Sequence, residues 1–299
     1  MLADFAPAKI NLTLRIGQRR LDGYHELESL VVFADIGDDL RLHAGKPLSL
    51  TVDGETADAA GSVSDNLVLK AARALAADIA DLRVGHFELT KSLPVAAGLG
   101  GGSSDAAAAL RLLSQANPEK NLSGDPCLAA AARKTGADVP VCLDPRPRIM
   151  RGIGERLSTP LHLPKLPAIL VNPRVSTPTA AVFAARAANA ASPSPLPQND
   201  AAIALAERAT SKANMPDPHA LTDALLQSGN DLEAPAISLH PVIANVLRAL
   251  RSLPGCRLAR MSGSGATCFG LFDAAHIPTA AHELEAAHPG WWIAPTTLG

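Results

Sequence analysis

The chain has 299 residues, 47% of them hydrophobic, and its 27 basic and 29 acidic side chains leave a formal net charge of −2. That length and apolar content suffice for one large globular domain or two of ordinary size. The even charge, with no stretch concentrating Lys or Arg, argues against nucleic-acid binding, and aromatics at 3% provide no base-stacking platform. No apolar run approaches the ~20 residues needed to cross a bilayer. The opening MLADFAPAK lacks the leader of an export signal, so a cytoplasmic location is expected. Cys127, Cys142, Cys256 and Cys268 are far apart, with no CxxC pair. They read as reduced, mostly buried thiols, indicating neither a zinc site nor a disulfide framework.

From Ala6 to Ile16 the apolar residues fall on even positions, a period of two that predicts a half-buried strand. Lys9, Asn11 and Thr13 then share the other face, which alternation alone makes a solvated one. Asp22-Gly23 signals a turn presenting Tyr24, the only tyrosine, and His25. An aromatic ring followed by an imidazole suits a planar heterocycle, and equally suits a half-buried ring beside a turn-capping histidine. Further strands are expected at Ser29–Phe33, Leu40–Leu42, Leu48–Val52 and Val84–Thr90, with a helix over Leu67–Ile79 started by Ser64, Asp65 and Asn66.

The segment LPVAAGLGGGSSDAAAALRLL, Leu93 to Leu113, is the most informative in the chain. Gly98, Gly100, Gly101 and Gly102 permit positive φ and close approach to a ligand. Ser103, Ser104 and Asp105 offer capping chemistry where the helix formers begin, and the free N–H groups of a first helical turn form an anion site. No lysine precedes the serines as a Walker loop requires, and Ser103 stands where a dinucleotide fingerprint needs its third glycine. Taken alone, the segment could equally be a glycine-rich turn before a core helix.

A helix over Pro126–Thr135 stops at Gly136. Asp138, between that stop and Pro140, is held by a defined turn, as a proton acceptor or as a plain turn aspartate. Beyond a turn-rich stretch from Asp144 to Gly154 come a strand at Ala168–Asn172, a helix over Thr179–Ala190 and a proline-bearing surface loop at Ser192–Asn199. Helices follow at Ala201–Arg208, His219–Gln227 and Pro241–Leu253. Strands at Arg257–Met261 and Thr267–Phe272, a helix over Ala275–Ala287 and a strand at Trp291–Ala294 close the chain. With the helices between Thr177 and Asn230 set aside as an insertion, this half reads βαββαβ, a ferredoxin-like order. The boundary is placed near Gly154, giving domains 1–154 and 155–299, with no internal repeat.

The glycine segment resembles the GLGSSAA-type loop of the GHMP kinases. With AKINLTL (Ala8–Leu14), DGYHEL (Asp22–Leu27), GADVPV (Gly136–Val141) and SGSGATCFGLF (Ser262–Phe272), the resemblance spans almost the whole chain in family order. It implies an α+β, two-domain fold: a mixed α/β nucleotide-binding domain, then the ferredoxin-like βαββαβ domain with its helical insertion. The implied activity is phosphoryl transfer from ATP, with Mg2+, to a hydroxyl of a small molecule, by a monomer or homodimer with no nucleic-acid or membrane partner. DGYHEL and GLGGGSS point to the branch whose acceptor carries a diphosphocytidyl group, ahead of homoserine or mevalonate kinases. Intact Lys9 and Asp138 argue against a non-catalytic sensor.

By that resemblance Asp138 is the catalytic base, and Lys9 lies beside it to meet negative charge developing near the acceptor oxygen. Asn11 hydrogen-bonds the acceptor or a phosphate. Tyr24 stacks on the cytosine, His25 reads its edge, Phe183 supplies a second stacking face and Thr179 contacts the substrate. Asn66 and Lys91 match adenosine and phosphate contacts, and ATP is lined by Pro94, Gly98, Leu99, Gly100, Gly101, Gly102, Ser103 and Ser104, with Ser103 or Ser104 helping to hold Mg2+. The glycines of the Met261 segment let a loop pack against the phosphate loop, while NDLE, Asn230–Glu233, fits the branch without a chemical role. Two departures stand out: Ala96 and Ala97 replace glycines frequent in relatives, and Leu143–Arg148, LDPRPR, replaces expected small residues.

Overall fold

The structure is a computed structural model that describes residues 1–122, 124–189 and 200–299. The loop expected at Ser192–Asn199 lies outside the described residues. In chain order the elements are β1 (Leu2–Asn11), β2 (Arg15–Arg19), β3 (His25–Ala44), β4 (Ser49–Asp53), α1 (Leu67–Asp78), β5 (Gly85–Thr90), α2 (Gly101–Ala116), α3 (Pro126–Thr135), α4 (Val139–Cys142), β6 (Arg148–Gly152), β7 (Arg156–Leu157) and β8 (Leu166–Asn172). There follow α5 (Thr179–Asn189), α6 (Ala201–Glu207), α7 (Pro218–Leu226), α8 (Glu233–Leu239), α9 (Val242–Ser252), β9 (Cys256–Met261), β10 (Cys268–Phe272), α10 (Ile277–Ala287) and β11 (Trp292–Leu298). They form two compact units, one of Met1–Lys9, Ile36–Val95 and Gly100–Pro145, the other of Ile10–Asp35, Ala96–Leu99 and Arg146–Gly299.

In the first unit β4 runs parallel to β5, which pairs antiparallel with residues 39–44 of β3. Asn66 caps α1, its Oδ1 accepting the Val68 N–H at 2.9 Å. The helix buries Val68, Leu69, Ala71, Ala72 and Leu75, with about 1.5–3 kcal/mol for each large aliphatic side chain. Against it packs α2, in which Ala106, Ala107, Ala108 and Ala109 are all buried. Methyl-sized side chains on every face let neighbouring backbones approach closely, so this run serves packing and leaves the helix N-terminus for chemistry.

The second unit carries four antiparallel strands in the order β11–β8–β10–β9, the ferredoxin-like arrangement expected from βαββαβ. Ile169, Val171, Met261 and Cys268 of its strands join Ile243, Val246, Leu247 and Leu250 of α9 and Ala280, Ala281 and Leu284 of α10 in one core. Helices α5 to α8 lie in the chain between β8 and α9, as the insertion predicts.

Three local expectations are corrected. Ala6–Ile16 is two strands, interrupted at Leu12–Leu14, where the Leu12 N–H bonds the Leu30 carbonyl and Thr13 Oγ1 accepts the Leu30 N–H. Both of its faces are buried, so the Lys9–Asn11–Thr13 face is not solvated. Ser29–Phe33 and Leu40–Leu42 belong to one 20-residue strand, because Asp35–Asp39 continues the extended backbone despite its polarity. The turn-rich stretch contains β6, paired with residues 27–31 of β3. Only Ile149 and Met150 are apolar within it, a run too short to announce a strand. The LDPRPR segment, which departs from the family pattern, thus leads from the end of α4 into β6.

Candidate active site

In the first unit, Asp138 follows the Gly136 stop of α3 and stands at the N-cap position of α4, yet its side chain makes no capping bond. Its Oδ2 instead accepts from Lys9 Nζ at 2.6 Å, with the lysine side chain 5% exposed and the aspartate 39% exposed. A buried ammonium is thereby joined to a carboxylate that water or substrate can reach. Arg111 of α2 holds both carriers of this pair: it donates to Asp4 Oδ2 at 2.7 Å and the Phe5 carbonyl at 3.0 Å on β1, and to the Cys142 carbonyl at 2.7 Å, at the end of α4. Burial pushes the Cys142 thiol up to about 12, so it is inert at neutral pH.

Helix α2 begins one turn earlier than its serines imply. Gly100, left-handed at φ +62°, is the N-cap, and no side chain caps the helix. The serines are therefore not caps. Ser104 is fully buried with its hydroxyl donating to the Pro7 carbonyl at 2.7 Å, whereas Ser103 is half-buried. This removes Ser104 as a side-chain ligand and leaves Ser103 and the first-turn N–H groups available to an anion. Positive φ is required at Gly98 (+75°) and Gly100 but not at Gly101 or Gly102, which are helical. A Cβ on Gly100 would stand 3.1 Å from Lys9 Cβ, and one on Gly98 only 2.3 Å from the Ser262 carbonyl oxygen. Leu99 is buried, while Pro94 is half-buried.

Lys91, matched by the resemblance to a phosphate contact, has its ammonium engaged by two carboxylates. Its ammonium is buried, bonded to Asp38 Oδ2 and, at 2.8 Å, to Asp105 Oδ2, while Asp38 Oδ1 accepts the N–H groups of Ser92 at 2.6 Å and Leu93 at 2.9 Å. Burial opposes the lysine's charge, but Asp105 and Asp38 outweigh it and hold its pKa above the ordinary value. Burial, helped by Asp38 and opposed by Lys91, pushes Asp105 up to about 7. Asp105 Oδ1 is buried without a partner. Asp38 and Arg111 were missed by sequence reasoning. Asp105 and Arg111 are the only charged residues of α2, a signal that was there to read, but Asp38 is one of three acids in Asp35–Asp39 and nothing local marks it as buried.

The second unit holds the other expected residues. Asn11 is 4% exposed. Its Nδ2 donates to Ser29 Oγ at 2.7 Å and its N–H to Ser262 Oγ at 3.1 Å, which leaves Oδ1 and the second Nδ2 hydrogen to meet a ligand. Tyr24 is 58% exposed on the hairpin turn between β2 and β3, where its N–H donates to Asp22 Oδ1. It is the His25 ring that meets Phe183, at 5.4 Å between centroids and 30° between planes. Thr179, exposed at the start of α5, has its Oγ1 2.9 Å from Ser264 Oγ. Among the described residues no group of three His, Cys, Asp or Glu side chains could hold a metal ion, and no helix is long and apolar enough to cross a membrane.

Residues 66–144 match the GHMP kinases N terminal domain and residues 197–290 the GHMP kinases C terminal domain. A 4-diphosphocytidyl-2-C-methyl-D-erythritol kinase from Methylobacterium radiotolerans is 54% identical, covering 100% of this chain and 99% of that protein. One from Rhodopseudomonas palustris is also 54% identical, over 100% and 95%. A crystal structure of 4-(cytidine 5'-diphospho)-2C-methyl-D-erythritol kinase superposes with a TM-score of 0.72 at 33% identity, covering 100% of this chain and 99% of that one. With family motifs in order along the chain and relatives alike over its full length, the chain belongs to the GHMP kinase family, among its 4-diphosphocytidyl-2-C-methyl-D-erythritol kinases.

Proposed function

We propose that the protein transfers the γ-phosphoryl group of ATP to the 2-hydroxyl of 4-diphosphocytidyl-2-C-methyl-D-erythritol, giving the 2-phosphate and ADP on the methylerythritol phosphate route to isopentenyl diphosphate. The observation that carries this reading is the Lys9–Asp138 pair, reachable at its carboxylate and set in a chain 54% identical to relatives of that name. Asp138 accepts the hydroxyl proton as the alcohol oxygen bonds to the γ-phosphorus and the bond to the β-phosphate oxygen breaks, its electron pair leaving with ADP. Lys9 stabilises the negative charge gathering on the acceptor side.

The uncapped N-terminus of α2, with Gly98 and Gly100 in left-handed conformations, suits the phosphates of ATP. Ser103 fits Mg2+, a hard cation that takes an oxygen ligand from the protein and others from the nucleotide; when bound, it offsets the phosphate charge. Tyr24, His25 and Phe183 read the cytosine and Asn11 hydrogen-bonds the acceptor or a phosphate, while Asn66 and Pro94 belong to the nucleotide side. Residues 1–154 carry nucleotide binding and catalysis and residues 155–299 the second domain. The two family matches fall on either side of that boundary.

Coupled detection of ADP release, with and without the diphosphocytidyl alcohol, tests the reading. Release that depends on this acceptor is expected. Release with homoserine or mevalonate in its place would overturn it.

A further inference from the structure

We infer that Asn230 and Glu233 of the NDLE segment are positioning residues for phosphoryl transfer, which set the conformation of the glycine loop by gripping the Met261–Gly263 turn behind it. The inference rests on the kinase reading above. Asn230 uses its whole carboxamide: Nδ2 donates to the carbonyls of Met261 and Gly263, both at 2.8 Å, and Oδ1 accepts the Leu232 N–H at 2.9 Å. Glu233 Oε2 accepts the Met261 N–H at 2.9 Å, so the two side chains hold Met261 at both its donor and its acceptor.

What they hold is the residue before Ser262. The Ser262 hydroxyl donates to the Gly98 carbonyl at 3.0 Å and accepts the Asn11 N–H at 3.1 Å, and the Thr267 N–H donates to the Ala97 carbonyl at 3.1 Å. A Cβ on Gly98 would meet the Ser262 carbonyl oxygen at 2.3 Å and the Gly265 nitrogen at 2.9 Å, so the two backbones lie in close contact. Movement of the Met261–Gly263 turn must therefore be transmitted to Gly98, whose left-handed φ shapes the loop entering α2. Only an amide supplies two donors and an acceptor in this fork, and a carboxylate in its place would face two carbonyl oxygens.

The experiment compares Asn230→Asp, Glu233→Ala and Glu233→Gln with the wild type. It measures ATP binding and cytidine 5'-diphosphate binding by calorimetry, thermal stability, and steady-state kinetics with both substrates. Asn230→Asp and Glu233→Ala are expected to weaken ATP about tenfold, the equivalent of about 1.4 kcal/mol, and to leave cytidine diphosphate within about twofold. Glu233→Gln, which keeps an oxygen acceptor for the Met261 N–H, is expected to restore ATP binding. A folded Asn230→Asp protein with wild-type ATP affinity, a Glu233→Gln variant as impaired as Glu233→Ala, or equal loss of both ligands tracking a fall in Tm would overturn the inference. Should Asn230→Asp not fold, the Glu233 pair decides alone. A wild type that makes no ADP with the diphosphocytidyl acceptor would instead remove the kinase reading, and this inference with it.

Discussion

Replacing Asp138 by asparagine keeps the shape of the side chain and an oxygen facing Lys9, but removes the proton acceptor. General-base catalysis contributes about 10²–10⁴-fold, or about 2.7–5.4 kcal/mol of barrier at about 1.36 kcal/mol per tenfold. Turnover should fall by at least about 100-fold. The effect on stability follows from the pair's surroundings. At 2.6 Å the gross attraction is about 6 kcal/mol for an effective dielectric of ~20. The carboxylate is 39% exposed, so screening cuts the net value well below that, while the lysine, 5% exposed, loses its counter-charge in a buried place. Between the roughly 0.2–1 kcal/mol of an exposed pair and the about 3–5 kcal/mol lost when a fully buried one is broken, about 1–2 kcal/mol is expected. For a chain of this size that lowers Tm by about 2–8 °C. Coupled ADP assays, ATP calorimetry and a melting curve on the same preparation separate the two effects, and ATP affinity should change little. A folded Asp138→Asn protein retaining more than roughly a third of wild-type turnover would remove Asp138 from the role of base.

Gly98→Ala places a Cβ 2.3 Å from the Ser262 carbonyl oxygen at φ +75°, so ATP affinity should drop at least about tenfold; wild-type calorimetry from a folded variant would place the phosphates elsewhere. Tyr24→Ala and Phe183→Ala should each weaken the diphosphocytidyl substrate about tenfold or more, from about 1–3 kcal/mol of base stacking, with ATP unaffected. The uridine analogue should be a poor substrate, and equal use of both bases would end the base-reading role. Asp105, pushed up from 3.8 to about 7, contributes stability that is complete below pH about 4 and lost as pH rises through about 7. The Tm of Asp105→Asn, relative to the wild type, should therefore improve between pH about 5 and about 8, and a constant difference across that range would show that Asp105 takes up no proton on folding.

The α+β class, the ferredoxin-like order and most element positions were legible because their signals are local. Pro126 and Gly136 bracket α3 as read, the capping of α1 by Asn66 was announced by its side chain, and the apolar runs of β8 and β10 have the length and flanks of buried strands. The readings that failed did so where a distant partner replaced a local rule. Ser104 reads as a cap, but its hydroxyl is taken by Pro7, 97 positions away. Lys91 reads as a phosphate contact, but its ammonium is bonded to Asp38 and Asp105. Asp138, open in sequence between turn residue and base, leaves its capping role unused because Lys9 lies within reach.

By itself the sequence determined the motifs, their order and therefore the family and its chemistry, since residue types and short spacings survive without knowledge of the fold. Tertiary structure alone decided which side chains meet. Lys9 and Asp138 are 129 positions apart, and Asn230 reaches Met261 and Gly263 across more than 30. Periodicity and capping act over a single turn or strand, while burial of a charge and the partner that makes it tolerable are set only when the chain closes on itself.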